Sequence, residues 1–234
     1  MTTVATVAPI VVSVDLVCLR LRPGGPGLQL QVLLVRRLPP PFAWRWALPG
    51  RVLATDELLA DCARRLLREH TGVAESYLEQ LYTFDALDRD PHARSLSVAY
   101  YALLRTDAPE PPAGPHVADA RWWPVRQLPA GGLLAFDHAQ IIQAAHQRLR
   151  GKLDYAPVAF HLLPATFTMT QLRRVYEAIQ ERPYDPTNFP RAMQARFPGL
   201  APVAGQHDRT SKRPARLYRY DAATSAPTPD GGIL

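Results

Sequence analysis

The stretch LPGRVLATDELLADCARRLLREHTGV, residues 48–73, decides the fold of the first half of the chain. Apolar residues recur at helical spacing at Leu59, Cys62, Ala63 and Leu66. This spacing predicts an amphipathic helix that follows a tight Pro-Gly loop. Thr55 or Asp56 is expected to cap its start, and Gly72 stands where a left-handed residue commonly ends a helix.

The same loop and helix resemble the Nudix box, Gly-x5-Glu-x7-Arg-Glu-(apolar)-x-Glu-Glu-x-Gly-(apolar). The positions that agree with this motif are Glu57, Arg65, Leu67, Glu69, Gly72 and Val73. Three positions differ: Arg51 replaces a glycine, Leu66 replaces the first helical glutamate and His70 replaces the last. The family hydrolyses a nucleoside diphosphate linked to another moiety, with Mg²⁺ held by carboxylates on one face of the helix.

These differences bear directly on the chemistry. Magnesium requires several hard oxygen ligands, and a metal-bound water is the nucleophile in such hydrolysis. The helix face that would hold the ion carries Leu66, Glu69 and His70. We therefore predict no catalytic residues beyond the remnants Glu57 and Glu69, no metal site and no magnesium cofactor. Alternatively, Glu69 and His70 are simply solvated residues of the last helical turn.

Composition excludes several classes of protein. Of the 234 residues, 47% are hydrophobic, enough for a globular core, and no apolar run approaches the roughly 20 residues of a membrane span. The N-terminal segment lacks the basic region of an export signal. The two cysteines, Cys18 and Cys62, fall in apolar patterns and are predicted to be buried and reduced, which favours a cytoplasmic location. The absence of a long apolar run predicts no membrane partner.

The net charge of +6 is concentrated in the last third of the chain. Residues 155–220 contain ten Lys or Arg against four Asp or Glu, an excess of six, so the rest of the chain is neutral. A basic unit attached to a neutral body indicates a polyanionic partner. The alternative is that arginine is merely preferred on this protein's surfaces.

Residues 1–152 are predicted to form one α/β domain. Segments with strand-like composition lie at 10–22, 28–36, 80–87, 95–105 and 120–125. A second helix is predicted over 136–149. Together with the first helix, these elements predict an α/β/α sandwich with a mixed sheet.

Residues 153–222 are predicted to form a winged helix-turn-helix domain. Thr168 and Gln171 have the spacing of a capping box, and Leu172, Val175, Tyr176 and Ile179 form one helical stripe behind them. A second helix is predicted over 187–197, or from Asn188, because Pro190 falls inside the longer range. Strands at 200–203 and 216–220 flank a basic loop, as in a wing. Residues 223–234 are predicted to be a disordered tail.

Both units together resemble the NrtR family of Nudix-related transcriptional regulators. Besides the degraded box, the segments that carry the likeness are 88–91 (DRDP), 134–138 (LAFDH), 162–164 (LLP), 167–172 (FTMTQL), 175–179 (VYEAI), 188–189 (NF) and 213–219 (RPARLYR). The resemblance implies a cytoplasmic bacterial homodimer that binds a palindromic double-stranded DNA operator, typically near genes of NAD metabolism. It also implies a Nudix-like domain that senses ADP-ribose or a related nucleotide.

Two sets of residues are candidates for binding DNA and the effector. The DNA-binding candidates, in the second helix and the wing, are Asn188, Arg191, Arg196, Arg209, Lys212, Arg213 and Arg216. The effector-binding candidates, near the expected cleft, are Arg36, Arg37, Arg51, Glu69, His70 and Arg89. The competing hypothesis is an active Nudix hydrolase of the ADP-ribose pyrophosphatase type with a basic accessory domain.

We predict that the charge of the wing supplies affinity rather than sequence choice. Lys212→Ala and Arg213→Ala should each weaken binding to operator and to unrelated duplexes alike, because a wing mostly contacts phosphate. Each lost phosphate contact should flatten the salt dependence by roughly one unit of slope. Titrations at several salt concentrations measure this. A changed operator preference at an intact salt slope would contradict it.

Overall fold

The computed structural model describes residues 9–25, 27–108, 110, 117–208 and 214–223. The strands of the first unit are β1 (Val11–Gly24), β2 (Gly27–Arg37), β3 (Trp46–Ala47), β4 (Gly50–Val52), β5 (Tyr77–Phe84), β6 (Ser95–Leu103) and β7 (Val117–Pro124). Its helices are α1 (Leu59–Thr71) and α2 (His138–Lys152). The main sheet has the order β3-β2-β1-β6-β5, with β4 paired to β1 and β7 paired to β2.

The central strand β1 organises this sheet because both of its faces are buried. Leu16 and Cys18 pack in the cluster that contains α1, whereas Val17 and Leu19 pack in the cluster that contains α2. β1 pairs in parallel with β6 and antiparallel with β2. The sheet is therefore mixed and covered by a helix on each face, which confirms the predicted α/β/α sandwich.

The start of α1 differs from the prediction. Thr55 and Asp56 do not cap the helix. The N-cap residue is Leu58, the helix begins at Leu59, and no side chain makes a capping hydrogen bond. The reason is local: the N–H of Glu57 donates to the carbonyl of Ala54 (3.3 Å), which closes a turn before the helix can begin. The end is as predicted, since Gly72 adopts a left-handed conformation with φ of 70°.

Some strand boundaries also differ from the predicted ones, again because of local hydrogen bonds. β5 lies at Tyr77–Phe84 rather than at 80–87, because the carbonyl of Asp85 already accepts a hydrogen bond from Arg94 (2.7 Å) in the following loop. The short strands β3 and β4 were not predicted, since segments of two and three residues carry no detectable periodicity. None of the helices in the described ranges combines the length and the apolar composition that a membrane span requires.

The second unit has the order of elements of a winged helix. A 3₁₀ turn (Pro157–Leu162) precedes β8 (Phe167–Thr168), α3 (Met169–Gln180), α4 (Phe189–Arg196), β9 (Leu200–Asp208) and β10 (Ala215–Tyr220). The strands form an antiparallel sheet in the order β8-β10-β9. The capping box is present as predicted, because Thr168 and Gln171 exchange backbone-to-side-chain hydrogen bonds of 3.1 and 2.7 Å.

Pro190 fits the start of α4 rather than breaking it. The helix begins at Phe189 instead of residue 187, which places Pro190 in the first turn, where its missing N–H leaves no hydrogen bond unmade. The preceding N–H groups of Thr187 and Asn188 donate instead to the carboxylate of Asp185, at 3.1 and 2.7 Å.

The two units share one apolar core. The buried cluster that includes Val17 and Leu149 of the first unit continues without a break to Val175, Ile179 and Met193 of the second. Lys152, where α2 ends, adjoins the predicted boundary at 152/153, but the core does not end there. The winged helix therefore depends on the sandwich for part of its burial.

We predict that Ile179→Ala destabilises the whole chain. Ile179 is fully buried, so the truncation should cost about 2–5 kcal/mol. The four tryptophans of the chain all lie in the first unit, at positions 44, 46, 122 and 123. The urea transition followed by tryptophan fluorescence should nevertheless shift, together with that followed by circular dichroism. Arg174→Ala, an exposed change on the same helix, is the control. A fluorescence transition that Ile179→Ala leaves in place would contradict a shared core.

Candidate ligand cleft and nucleic-acid interface

Two adjoining cavities of about 310 and 260 Å³ lie where β4 and the Pro49 loop approach the ends of β1 and β2. We call them together the cleft. Arg37, Leu48, Gly50 and Arg51 line both cavities. Of the other predicted effector residues, His70 lines the larger cavity and Arg89 lines the smaller. The structure thus brings together Arg37, Arg51, His70 and Arg89.

Arg36 was expected near the cleft together with Arg37, and both residues belong to β2. Side chains alternate along a strand, so Arg36 points to the opposite face from Arg37. Its Nε donates to the carbonyl of Trp44 (3.2 Å), and its guanidinium lies 5.7 Å from the Trp44 ring centroid. Arg36 is absent from the lining of both cavities.

Arg37 is held in place by the loop that follows it. Its Nε donates to the carbonyl of Pro41 (3.1 Å), and its guanidinium lies 4.8 Å from the ring centroid of Phe136. A guanidinium anchored at one edge can present its remaining N–H groups to an anion without losing further side-chain freedom. Arg37 is therefore preorganised for an anionic group in the cleft.

The surviving acids of the box are paired with arginines. Arg65 donates to both carboxylate oxygens of Glu57 at 2.8 Å each and to Glu69 at 3.3 Å. These hydrogen bonds lower the pKa of Glu57. Arg51 lies 3.6 Å from the other oxygen of Glu69, a contact that is an ion pair without a hydrogen bond. Glu69 therefore faces these two cations and does not line the cleft.

The residues present do not fit a magnesium ion. Leu66 is buried in the core, Glu69 is neutralised by two guanidiniums, and burial lowers the pKa of His70, which leaves it a neutral nitrogen donor. Magnesium requires near-octahedral oxygen coordination. Among the residues described, no three His, Cys, Asp or Glu side chains lie together so that they could hold a metal ion.

A buried polar network closes the floor of the cleft. Arg89 donates to both carboxylate oxygens of Asp137 (2.9 and 3.1 Å) and to the hydroxyl of Ser95 (3.3 Å), and lies 3.5 Å from Asp15. The Ser97 hydroxyl donates to Asp15 at 2.6 Å. Arg89 is only 6% exposed, so its charge is committed to these partners. Its role at the cleft is therefore mainly to shape the wall.

His138 joins this network to the Pro49 loop. Its Nδ1 accepts a hydrogen bond from the N–H of Leu48 (2.9 Å), so the ring proton sits on Nε2, which lies 3.6 Å from the Asp15 carboxylate. Burial raises the pKa of Asp15, but its interactions with His138, the hydrogen bond from Ser97 and the nearby charge of Arg89 outweigh it and leave that pKa below its usual value. Asp15 is thus a buried anion.

Sequence reasoning missed Asp15 and His138. One signal was available: Asp15 is the single charge inside the apolar run VVSVDLVCL, and a buried carboxylate requires partners. Gly50 also belongs to this arrangement, because a Cβ added there would lie 2.1 Å from an oxygen of Asp15. Only glycine lets β4 pair this closely with β1.

The second unit presents its own candidates. Asn188, Arg191, Arg196 and Arg216 are all exposed, the first immediately before α4, the next two on α4 and the last on β10. Arg196 also points back toward the body, with its Nη1 3.5 Å from the carbonyl oxygen of Leu153. The wing candidates Arg209, Lys212 and Arg213 and the tail beyond residue 223 lie outside the described residues. Arg174, which was not among the sequence candidates for DNA binding, is also exposed, on α3.

Family models match both units. A model described as NUDIX domain matches residues 12–145, and one described as NrtR DNA-binding winged helix domain matches residues 159–220. The chain is 36% identical over 194 residues to a protein of Acinetobacter baylyi named ADPR responsive transcriptional repressor NtrR. That match covers 82% of this chain and 76% of the relative.

Solved structures agree with this match. The crystal structure of Shewanella oneidensis NrtR complexed with a 27mer DNA is similar with a TM-score of 0.75 and 33% identity, covering 92% of this chain and 95% of that chain. The NUDIX domain of the same Shewanella protein complexed with ADP ribose gives a TM-score of 0.52 and 36% identity. The second match covers 64% of this chain and 94% of that domain.

We predict that His70 makes stability fall in mild acid. The lowered pKa keeps the folded imidazole neutral below the ordinary value of about 6.5, while the unfolded chain takes up a proton there. Stability is thus lost as pH falls from about 6.5 through the lowered pKa of His70. His70→Gln should reduce this loss, measured as the change in urea midpoint between about pH 7.5 and pH 5.5. Exposed His92→Gln is the control, and an unchanged loss in His70→Gln would contradict the assignment.

Proposed function

Because this chain belongs to the NrtR family of Nudix-related transcriptional regulators, we propose that it is a DNA-binding repressor whose hold on its operator responds to a nucleotide. One observation carries the proposal: a single chain joins an arginine-lined cleft to a winged helix with exposed arginines, and its described residues include no group of three side chains that could hold a metal ion. The names of its Acinetobacter and Shewanella relatives point the same way.

The proposed effector is ADP-ribose or a close relative. A pyrophosphate requires cationic donors, and Arg37 and Arg51 line the two adjoining cavities. His70, as a neutral imidazole, can add a hydrogen bond but no charge. Arg89 contributes by shaping the wall of the cleft through its hydrogen bonds to Asp137. Control of genes of NAD metabolism and a cytoplasmic location stay predictions from the resemblance.

We propose that the effector is bound and not cleaved. Hydrolysis in the Nudix family requires a metal-activated water, and the positions that would hold the metal carry a leucine, an acid paired with arginines and a neutral histidine. Binding makes smaller demands, because arginines can hold a pyrophosphate without a metal. An uncleaved ligand persists, as a sensor requires.

For DNA, we propose that α4 enters the major groove as the second helix of the helix-turn-helix. Arg191 and Asn188 at its start are the candidates for base edges, and Arg216 on β10 for phosphate. A single winged helix buries too little surface for tight specific binding, so the functional unit is proposed to be a homodimer on paired half-sites.

Two measurements on one preparation test this function: product formation from ADP-ribose with excess Mg²⁺ or Mn²⁺, and operator affinity across an ADP-ribose titration. We expect no turnover and operator binding weakened by about 10- to 100-fold, within the usual range of allosteric coupling. The complex should hold two chains per operator. Arg191→Ala should weaken operator binding by about 1–3 kcal/mol, because a lost base contact has this cost.

The contrary outcomes are distinct. Rapid turnover with unchanged DNA affinity would restore the hydrolase hypothesis. Neither turnover nor an effect on DNA affinity would contradict ADP-ribose as the effector while leaving the winged helix in place. Arg64→Ala is a matched control for Arg191→Ala, because Arg64 is an exposed helical arginine of the first unit, paired with Asp61 on its own helix at 2.7 Å.

A further inference from the structure

The helix α2 is bonded at one end to the cleft and at the other end to the DNA-binding unit. It contains 15 residues, His138–Lys152, and is therefore about 22 Å long at 1.5 Å per residue. No other helix in the described part of the chain carries hydrogen bonds or ion pairs to both sites.

At the start of α2, the bonds lead into the cleft. Asp137, immediately before the helix, accepts two hydrogen bonds from Arg89, and His138 accepts one from the N–H of Leu48. Both Leu48 and Arg89 line the cleft. Arg89 shapes this wall of the cleft, so a ligand that displaces the wall also displaces Asp137 at the start of α2.

At the end of α2, the bonds lead into the winged helix. Arg150 and Gln180, the last residue of α3, each donate from the side chain to the other's carbonyl oxygen, at 3.4 and 3.1 Å. Glu181 accepts a hydrogen bond from Arg126 (2.7 Å) and lies 3.7 Å from Arg150. Arg126 and Arg150 belong to the first unit, so these ion pairs cross the junction.

Between its ends, α2 is held by packing. Ile141, Ile142, Ala145 and Leu149 are fully buried in the core that also contains Leu172 and Ile179 of α3. A close-packed interface of this kind transmits a displacement rather than absorbing it. Movement at the start of α2 therefore reaches α3 and α4.

We infer that α2 carries the ligand signal to the DNA-binding helices as a rigid rod. Glu181 is the positioning residue that ties those helices to the first unit, by an ion pair with Arg150 of α2 and by a hydrogen bond from Arg126 in the segment after β7. The inference rests on the proposed function, because it explains how an occupied cleft changes the hold on DNA. Glu181 itself touches neither ligand nor DNA in this assignment.

The first test is Glu181→Gln, which keeps the shape of the side chain and removes its charge. The coupling ratio is the operator Kd at saturating ADP-ribose divided by the Kd without it. This ratio should fall by about two- to fivefold, because the free energy contributed by one surface ion pair corresponds to a change of this size. Glu177→Gln is the matched control, because Glu177 pairs with Arg173 within α3 and should leave the ratio unchanged. An unchanged ratio in Glu181→Gln would overturn the inference.

The second test needs no nucleotide. Asp137→Asn perturbs the cleft end of α2 and should change operator affinity by about threefold or more. In a Glu181→Gln background this effect should shrink by more than about twofold, whereas independent sites so far apart add to within that margin. Thermal midpoints verify that every variant is folded.

The outcomes separate the two claims. Additive effects of Asp137→Asn and Glu181→Gln on operator affinity would overturn the rod even if ADP-ribose regulates the protein. A further outcome is that ADP-ribose has no effect on operator binding by the unmodified chain while the effects of the two substitutions are not additive. ADP-ribose is then not the effector, but the role of α2 as a rigid rod is supported. If the unmodified chain binds no DNA, the proposed function fails, and this inference with it.

Discussion

The guanidinium of Arg89 is the charge around which the cleft is assembled. It is buried, and it draws Asp15 from the central strand, Asp137 from the start of α2 and Ser95 from β6 to one point. Removing one partner of such a buried ion cluster leaves an uncompensated charge, which costs about 3–5 kcal/mol. The strand, the helix and the loop are therefore fixed relative to one another before any ligand arrives, so a ligand meets a preorganised site.

The degraded box keeps its fold because its surviving residues pair with one another. Arg65 makes a bidentate bond to Glu57 across the loop before α1, and the same arginine reaches Glu69 one turn further along the helix. These contacts hold the loop against the helix. The replacement Arg51 adds a positive charge near the place where a metal would have supplied one.

Long, periodic or capped elements could be predicted from the sequence. The stripe of α1, the left-handed Gly72, the capping box of Thr168 and Gln171, and the order of the winged helix all follow from local patterns. The rest depends on contacts between distant residues. Asp15 and His138 are 123 positions apart, and nothing local shows that they meet. Arg36 and Arg37 look equivalent in sequence, and only the placement of β2 separates their faces.

The continuous apolar core has a consequence for the modularity of this architecture. A DNA-binding unit with its own core can be recombined as a cassette, joined to one sensor or another by a linker. Here Leu172, Val175 and Ile179 lie in one buried cluster with residues of α2 and of the main sheet. Cutting between the units would expose an apolar surface on each half, which favours aggregation. A chimera built from this protein must therefore keep α3 together with the α2 and β2 surfaces that cover it.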